Sequence, residues 1–262
     1  MFIPESYTLA VVLCTITMLC WGSWANTQKL AAKSWSFPLF YWDYTLGIII
    51  CSLLFGLSLG STGEAGRSFI DDIVQADASS FALAFAGGAV FNLANLLVVA
   101  AIDIAGMAVA FPVGIGIALV LGVIVNYIAT PVGDPVQLFL GVGLVMFAIV
   151  LDALAYKQQS KGSTTTPAKG MIYAVLGGIL MAFFFRLVAA SVSLDFNRPE
   201  AGLFTPYSAV FVFALGVFIS NFLWNSFFMF RPVSGPPVTY RDCFVKGDAR
   251  THLIGILGGS IW

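Results

Sequence analysis

The sequence contains few of the residues that enzymes use for chemistry in water. It has a single histidine, His252, and its four cysteines show no Cys-x-x-Cys spacing, so neither a metal site nor a disulfide framework is predicted. Only 10% of the residues are charged and the formal net charge is −1, which excludes nucleic-acid binding because that function needs a basic surface. Phosphate-loop, dinucleotide-binding and Ser/His/Asp patterns are also missing. We therefore predict no catalytic residues, no enzymatic activity and no cofactor.

Apolar side chain is what the sequence has in excess. Hydrophobic residues make up 59% of the chain, more than a soluble domain of 262 residues could bury, so we expect lipid to be its solvent. The apolar residues form seven long stretches and an eighth, shorter one. The eighth begins near His252 and reaches Trp262 after about half the length that a membrane-spanning helix needs. The first stretch lacks a preceding basic segment, so we expect a retained helix and not a signal peptide. Seven stretches reach the length of roughly 20 residues that crosses a bilayer, at Tyr7–Thr27, Phe37–Leu59, Ser79–Ala101, Met107–Ala129, Val136–Tyr156, Ala168–Val192 and Pro206–Phe230.

Charges in the links between these stretches predict an orientation. The link after the second stretch is acidic, with Glu64, Asp71, Asp72 and Asp77 against Arg67. The link after the seventh is basic, with Arg231, Arg241, Lys246 and Arg250. By the positive-inside rule, odd-numbered links are cytoplasmic and the N-terminus faces outward. We expect a multi-pass plasma-membrane protein, which in a bacterium means the inner membrane.

Short motifs recur between the two halves of the chain. The offset is close to half of a ten-helix protein, and because five is odd the second copy would insert upside down, as in many secondary transporters. We predict a first five-helix repeat at 1–156, a cytoplasmic linker at 157–169 and a shortened second repeat at 170–262. About seven and a half of ten expected helices would then be present. The paired motifs are Phe37-Pro38-Leu39 with Thr205-Pro206-Tyr207, Leu46-Gly47 with Leu215-Gly216, and Gly87-Gly88 with Gly258-Gly259.

Two ionisable residues lie at membrane depth. Asp43 is about two turns into the second stretch, where an uncompensated carboxylate costs at least ~2.5–3.5 kcal/mol, so it must face a cavity, find a partner or be protonated. It is our candidate for proton coupling, and the alternative is a residue snorkelling at the cytoplasmic surface. Arg186, past the middle of the sixth stretch, is permanently charged and needs an anionic or carbonyl partner. It is either an ion-pair or substrate ligand, with Asp43 as one candidate partner, or a residue reaching the outer interface.

Two pairs of asparagines share a helix face and a similar depth. Asn92 and Asn95 are three apart on the third stretch, and Asn221 and Asn225 are four apart on the seventh. Amides both donate and accept hydrogen bonds, which suits a polyhydroxyl or ureide-like solute. The alternative is hydrogen bonding between helices that holds the bundle together.

Tryptophans cluster near the predicted cytoplasmic end of the first stretch. Trp21 and Trp24 are three apart and could stack on a sugar or heterocycle, whereas an aromatic belt at the membrane interface is the alternative. With Tyr41, which precedes Asp43 by two positions, they complete the predicted substrate-binding residues.

Several motifs together resemble the ureide permease family. The resemblance covers most of residues 15–160 and is weaker from Ala168 to Phe230. It implies a place in the drug/metabolite transporter superfamily, beside the rhamnose and glucose/ribose porters, and ten helices in two inverted five-helix repeats. The central link departs from the family, whose plant members have a nucleotide-loop-like element there. The similar motifs are Trp21-Gly22-Ser23-Trp24, Lys29-Leu30, Tyr41-Trp42-Asp43-Tyr44, Ala86-Gly87-Gly88, Asn95-Leu96, the Gly106 turn, and Gly122 with Asn126-Tyr127.

The resemblance also implies a function. It predicts a secondary active transporter that moves a small polar solute, a ureide, nucleobase or sugar, in symport with protons by alternating access. Two alternatives stay open at this point: an exporter of metabolites or drugs from the same superfamily, and a membrane scaffold or receptor that transports nothing. The expected partners are the solute, protons and the lipid bilayer.

Overall fold

The structure is a computed structural model that describes residues 1–4, 6–31, 35–159, 168–233 and 235–262. Within these ranges every regular element is a helix, which confirms the predicted all-α class. The helices are α1 (Tyr7–Ala31), α2 (Phe37–Leu57), α3 (Phe69–Gln75), α4 (Ala78–Ala105), α5 (Met107–Ala129), α6 (Pro135–Gln159), α7 (Ala168–Ala190), α8 (Pro206–Asn221), α9 (Trp224–Phe230), α10 (Tyr240–Val245) and α11 (Ala249–Ile261).

The seven predicted membrane spans coincide with helices. In the described part of the chain, seven helical stretches are long and apolar enough to cross a bilayer, namely α1, α2, α4, α5, α6, α7 and the α8–α9 stretch. Proline occupies the first turn of α2 and of α8, where its missing N–H costs no hydrogen bond and its fixed φ favours the helix. The prediction of a polytopic membrane helix bundle is confirmed.

One predicted span is not continuous. The stretch Pro206–Phe230 was expected as a single helix, but α8 ends at Asn221 and α9 begins at Trp224. The backbone N–H of Phe222 donates to the carbonyl oxygens of Ile219 and Ser220, so the helical hydrogen-bond pattern tightens here before α9 begins. Such interruptions are tolerated at membrane depth only where the backbone is buried in protein or lines a cavity.

The first of two compact units comprises residues 1–88, 188–232 and 236–262. Its centre is α2, which packs against α8 and α11, while α1 packs against α11. An apolar cluster of Ala84, Phe204, Ala209 and Val212 joins α4 to α8 and to the link before it. This unit therefore combines helices from both halves of the predicted repeat.

The second unit comprises residues 89–187 with 233–235. It holds most of α4 and α7 together with α5 and α6, around a buried cluster of Ala101, Ala110 and Ala174. A Cβ at Gly178 would lie 2.5 Å from the backbone oxygen of Gly114, so small residues allow α5 and α7 to approach closely.

Helices lie at both ends of the predicted linker, whose assignment stays a prediction. Helix α6 continues to Gln159 and α7 begins at Ala168, so helix occupies both ends of the interval predicted as linker at 157–169. The remaining linker residues, 160–167, lie outside the described residues.

Candidate functional site

Asp43 is buried in the second turn of α2, with 8% of its surface exposed. Each carboxylate oxygen accepts one hydrogen bond: Oδ2 from Trp35 Nε1 at 3.0 Å, and Oδ1 from His252 Nδ1 at 2.8 Å, written here with the imidazole as donor. Both donors belong to the first unit, as Asp43 does. The carboxylate is therefore buried between two nitrogen donors, and its role in proton coupling stays a prediction.

His252 reaches Asp43 because α11 packs directly on α2. Asp248 caps α11 by accepting the amide of Thr251 at 2.7 Å, and His252 occupies the first turn. Gly255, one turn further, faces the Cβ of Asp43, where a side chain would block the approach. From the sequence, His252 marked only the start of the eighth apolar stretch, and no function was predicted for it. The signal that could have found it is its spacing of three and seven from Gly255 and Gly259, which puts all three on one helix face.

The predicted aromatic residues separate into buried and exposed members. Trp24 is buried with its ring 5.0 Å from that of Tyr44, and Tyr41, completely buried, lies 5.2 Å from the same ring. Trp21 is 45% exposed and lies 6.2 Å from the ring of Trp262. Trp24 and Tyr41 are thus part of the packed aromatic group beside Asp43, whereas Trp21 sits at its edge.

Asn221 and Asn225 both face α2, although the helix is interrupted between them. The amide nitrogen of Asn221 donates to Thr45 Oγ1 at 2.9 Å, and that of Asn225 donates to the carbonyl oxygen of Pro38 at 2.8 Å. Both asparagines are completely buried. Among the described residues, Oδ1 of Asn225 finds no donor. The pair therefore joins α8 and α9 to α2 and leaves one buried acceptor.

The other predicted ligands belong to the second unit. Asn92 and Asn95 are buried on α4, with 0% and 4% exposure, and Arg186 is half-buried on α7. Within that unit, no described carboxylate forms an ion pair with Arg186. The convergence of these residues with Asp43 on one solute stays a prediction.

Two helix crossings in the first unit involve the glycines of the motifs that the predicted repeat pairs. Gly47 and Gly259 are at the contact of α2 with α11, and Gly88 and Gly216 are at the contact of α4 with α8. The repeat pairs Gly47 with Gly216 and Gly88 with Gly259, so each crossing joins the second helix of one half to the third helix of the other. At the crossing of α2 with α11, an added Cβ on Gly47 would collide with the backbone oxygen of Ile256, and one on Gly259 with that of Tyr44. At the crossing of α4 with α8, an added Cβ on Gly88 would collide with the backbone oxygen of Phe213, and one on Gly216 with that of Phe85.

The links at residues 58–77 and 191–205 form a buried polar network at one end of the first unit, which was not predicted from the sequence. We call this the acidic end. Asp72 is completely buried and accepts from Arg67 Nε at 2.9 Å and from the amide and hydroxyl of Thr205 at 2.7 and 2.9 Å. The Arg67 guanidinium also donates to the carbonyl oxygens of Pro199, Glu200 and Leu203. Two links that the charge pattern places on one side of the membrane are thus in direct contact.

The opposite end of the unit, residues 35–36, 231–232 and 236–248, carries basic residues and α10, and we call it the basic end. The Tyr240 ring lies 5.7 Å from that of Trp42, and its hydroxyl hydrogen-bonds with Ser226 on α9. Burial raises the pKa of the Cys243 thiol to about 11, and the negative charge of Asp43 adds to this effect. The pKa of Asp242 is lowered, chiefly because its carboxylate accepts the amide of Thr239 in a capping box.

The described residues contain no group of three or more His, Cys, Asp or Glu side chains that could hold a metal ion. The site therefore consists of one carboxylate with its two nitrogen donors, a buried aromatic group and amides on an interrupted helix. Such an arrangement can hold a proton and can form hydrogen bonds with a polar solute.

Comparison with known proteins connects this geometry to a family. The ureide permease family model matches residues 40–169, which include Asp43, Asn92 and Asn95. The chain is 26% identical to Ureide permease 1 of Arabidopsis thaliana over 318 aligned positions, covering 99% of this chain and 82% of that protein. It is 25% identical to Ureide permease 2 of the same plant, with the same coverage, and 21% identical to Ureide permease 4, covering 90% and 75%.

No solved structure matches the chain. The similarity to Ureide permease 1 covers 99% of this chain and so extends well beyond the region that the family model matches. The chain is similar to the ureide permease family over residues 40–169 and to the plant permeases over nearly its whole length.

Proposed function

We propose that this protein is a secondary active transporter that moves a ureide or a similar small polar solute across a membrane together with protons. The observation that carries the proposal is the buried Asp43 carboxylate, held by Trp35 and His252 at the crossing of α2 and α11. An ionisable group at membrane depth is costly, and it is generally retained where it binds an ion, a proton or a substrate. The names of the related plant permeases supply the solute class.

Ureide chemistry fits the amides of the interrupted helix. A ureide presents several N–H donors and carbonyl acceptors, so it needs protein groups of both kinds. The buried Asn225 Oδ1 is an acceptor that no described residue satisfies, and a solute N–H group would satisfy it. Trp24 and Tyr41 offer flat faces for a planar ring. We propose these residues together with Trp21, Asn92, Asn95, Asn221 and Arg186 as the solute-binding set.

The transport mechanism we propose is alternating access between two inverted repeats. The repeats would be 1–156 and 170–262, and the two glycine crossings support this assignment because equivalent helices meet in equivalent ways. Close backbone contacts without intervening side chains allow two helices to move as one body. The interruption between α8 and α9 is the kind of broken helix that forms solute sites in transporters.

The proposed orientation puts the basic end in the cytoplasm and the N-terminus outside, in the plasma membrane. Cysteines introduced one at a time at the exposed Glu64, at the acidic end, and Lys246, at the basic end, provide the test. On intact cells a membrane-impermeant maleimide should label the first and not the second. If Lys246→Cys is labelled and Glu64→Cys is not, the orientation is the opposite of the one proposed.

Transport is tested with radiolabelled allantoin, a ureide, in proteoliposomes containing the full chain. Two assays separate coupling from movement: accumulation driven by a pH gradient, and exchange of labelled for unlabelled allantoin without a gradient. Asp43→Asn should lose accumulation and retain exchange, because it removes the proton-binding group and leaves the fold. The matched control Asp71→Asn makes the same charge change at an exposed position of α3 and should retain both.

The outcomes discriminate among the alternatives. Gradient-driven accumulation by Asp43→Asn would show that this residue does not couple protons. Movement of many unrelated hydrophobic compounds would favour an exporter. The absence of both accumulation and exchange in the unmodified protein, with ureides, nucleobases and sugars alike, would refute the transport function.

A further inference from the structure

The imidazole of His252 contacts the Asp43 carboxylate and is the more exposed of the two groups. Its Nδ1 is 2.8 Å from Asp43 Oδ1, and the ring meets the indole of Trp35 edge-on with 5.1 Å between centroids. These two contacts fix which ring nitrogen faces the carboxylate. The side chain of His252 is 33% exposed, whereas that of Asp43 is 11% exposed. A proton from solution can therefore reach the imidazole more readily than it can reach the carboxylate.

The second ring nitrogen has its own surroundings. Nε2 points toward the backbone of Gly247, where an added Cβ would collide with it. A glycine at this position leaves the outer edge of the ring uncovered by a side chain. Histidine is suited to the task because its two nitrogens can take a proton on one side and release one on the other.

Helix α11 carries His252 on a face that has glycines where it meets α2. Gly255 lies against Asp43, and Gly259 lies against the backbone of Tyr44. No side chain can act as a spacer at these two positions. The distance between imidazole and carboxylate is therefore set by direct helix contact, and a rearrangement of α11 on α2 would change it.

The charge of the pair depends on its proton content. With a neutral imidazole and an ionised carboxylate the pair carries a net charge of −1, and one added proton makes it neutral. The two groups are joined by one hydrogen bond of 2.8 Å, so an added proton can be shared between them. The other titratable or charged groups on the elements around the pair include Lys29 of α1, Tyr41 and Tyr44 of α2, Tyr240, Arg241, Asp242 and Cys243 of α10, Lys246 after it, the N-cap Asp248 and Arg250 of α11.

We infer that His252 is the proton-relaying partner of Asp43, receiving the coupling proton from solution at Nε2 and sharing it with the carboxylate through Nδ1. The inference rests on the proposed transport function. It assigns a role to a residue outside the region that the family match covers. It also predicts that a side chain able to form the hydrogen bond but unable to titrate cannot replace the imidazole.

The test compares His252→Gln with His252→Ala in the two allantoin assays. Glutamine can hydrogen-bond with Asp43 but cannot carry a proton, and alanine can do neither. We expect both variants to lose at least ten-fold in pH-driven accumulation and to retain exchange, with the pH dependence of uptake flattened. The control Arg250→Gln, at an exposed position of the same helix turn, should behave as the unmodified protein does.

Three results would overturn the inference while leaving the transport function intact. Accumulation restored by glutamine would show that the hydrogen bond alone matters. An unchanged pH profile in both variants would show that His252 carries no coupling proton. Loss of exchange in the glutamine variant would assign His252 to solute movement itself. If the unmodified protein moves no allantoin in either assay, it is the transport function that fails.

A chemical measurement supplies an independent readout. Because the chain has one histidine, diethylpyrocarbonate produces a single imidazole adduct that can be counted by absorbance. Modification should abolish accumulation in the unmodified protein in proportion to the adduct formed. Full accumulation after complete modification would overturn the inference.

Discussion

The buried ion pair at the acidic end yields the sharpest stability prediction. Replacing Arg67 by glutamine removes the positive charge that faces Asp72, a carboxylate with no exposed surface. Thr205 still donates two hydrogen bonds to that carboxylate, but no described cation takes the place of the guanidinium. The variant also loses donation from Arg67 to the link that precedes α8.

The magnitude follows from burial. Removing one partner of a buried ion pair typically costs about 3–5 kcal/mol, because the remaining charge is left uncompensated in a poor solvent. Arg67 is 21% exposed, so water reaches part of the guanidinium, and we expect the lower half of that range, about 3–4 kcal/mol. The matched control is Arg198→Gln in the same link, an exposed residue, for which we expect at most about 0.5 kcal/mol.

The assay is equilibrium unfolding of both variants in mixed detergent micelles, followed by circular dichroism. The reasoning is refuted if Arg67→Gln and Arg198→Gln have the same free energy of unfolding. A second comparison repeats the test from the acidic side: Asp72→Asn should destabilise the protein by more than Asp71→Asn, its exposed neighbour. Equal effects there would mean that the network is solvated and contributes little.

Three further predictions concern packing and reactivity. Gly47→Ala should lower the free energy of unfolding by about 1–3 kcal/mol, because the added methyl group meets the backbone oxygen of Ile256. The control Gly22→Ala, with open space around the added methyl group, should be neutral or stabilising, and equal effects of the two substitutions would contradict the close crossing. Thr45→Val should cost about 1–3 kcal/mol because it removes the acceptor of a buried amide donor on α8, and an unchanged unfolding curve would exclude that hydrogen bond. The thiol of Cys243, with a pKa of about 11, should react slowly with a water-soluble disulfide reagent at pH 8. The rate should rise about ten-fold for each added pH unit up to the pKa, because only the thiolate reacts. Fast labelling at pH 7 would contradict the burial of this thiol.

Several features of this protein could be predicted because lipid restricts the choice of structure. A segment in hydrocarbon must satisfy its backbone internally, so length and hydropathy are enough to locate helices such as α2 and α4. The start of α2 near Phe37 follows from Pro38 in its first turn. The pairing of Gly47 with Gly216 and of Gly88 with Gly259 was visible as an echo in the sequence, and the structure places all four at close helix crossings.

Other features could not be predicted because they depend on partners distant in the chain. His252 is 209 positions from Asp43, and nothing local to either residue specifies their contact. Asp72 stands in a run of acidic residues that is typical of a solvated link, yet Arg67 and Thr205 bury it. The interruption after Asn221 has no proline or glycine to mark it.

The sequence by itself determined that the chain crosses a membrane as helices, that the link after the second span is acidic and that the link after the seventh is basic. It also determined that Asp43 must face a cavity, find a partner or be protonated. These conclusions follow from the composition of the chain and from the cost of placing polar groups in lipid, and none of them depends on how the helices are arranged. Only the tertiary structure decided the partner's identity, since α11 brings His252 to the carboxylate through a glycine face that fixes their separation. An isolated helix can specify its own length and polarity, but the surroundings of a buried charge are set by the helices packed against it.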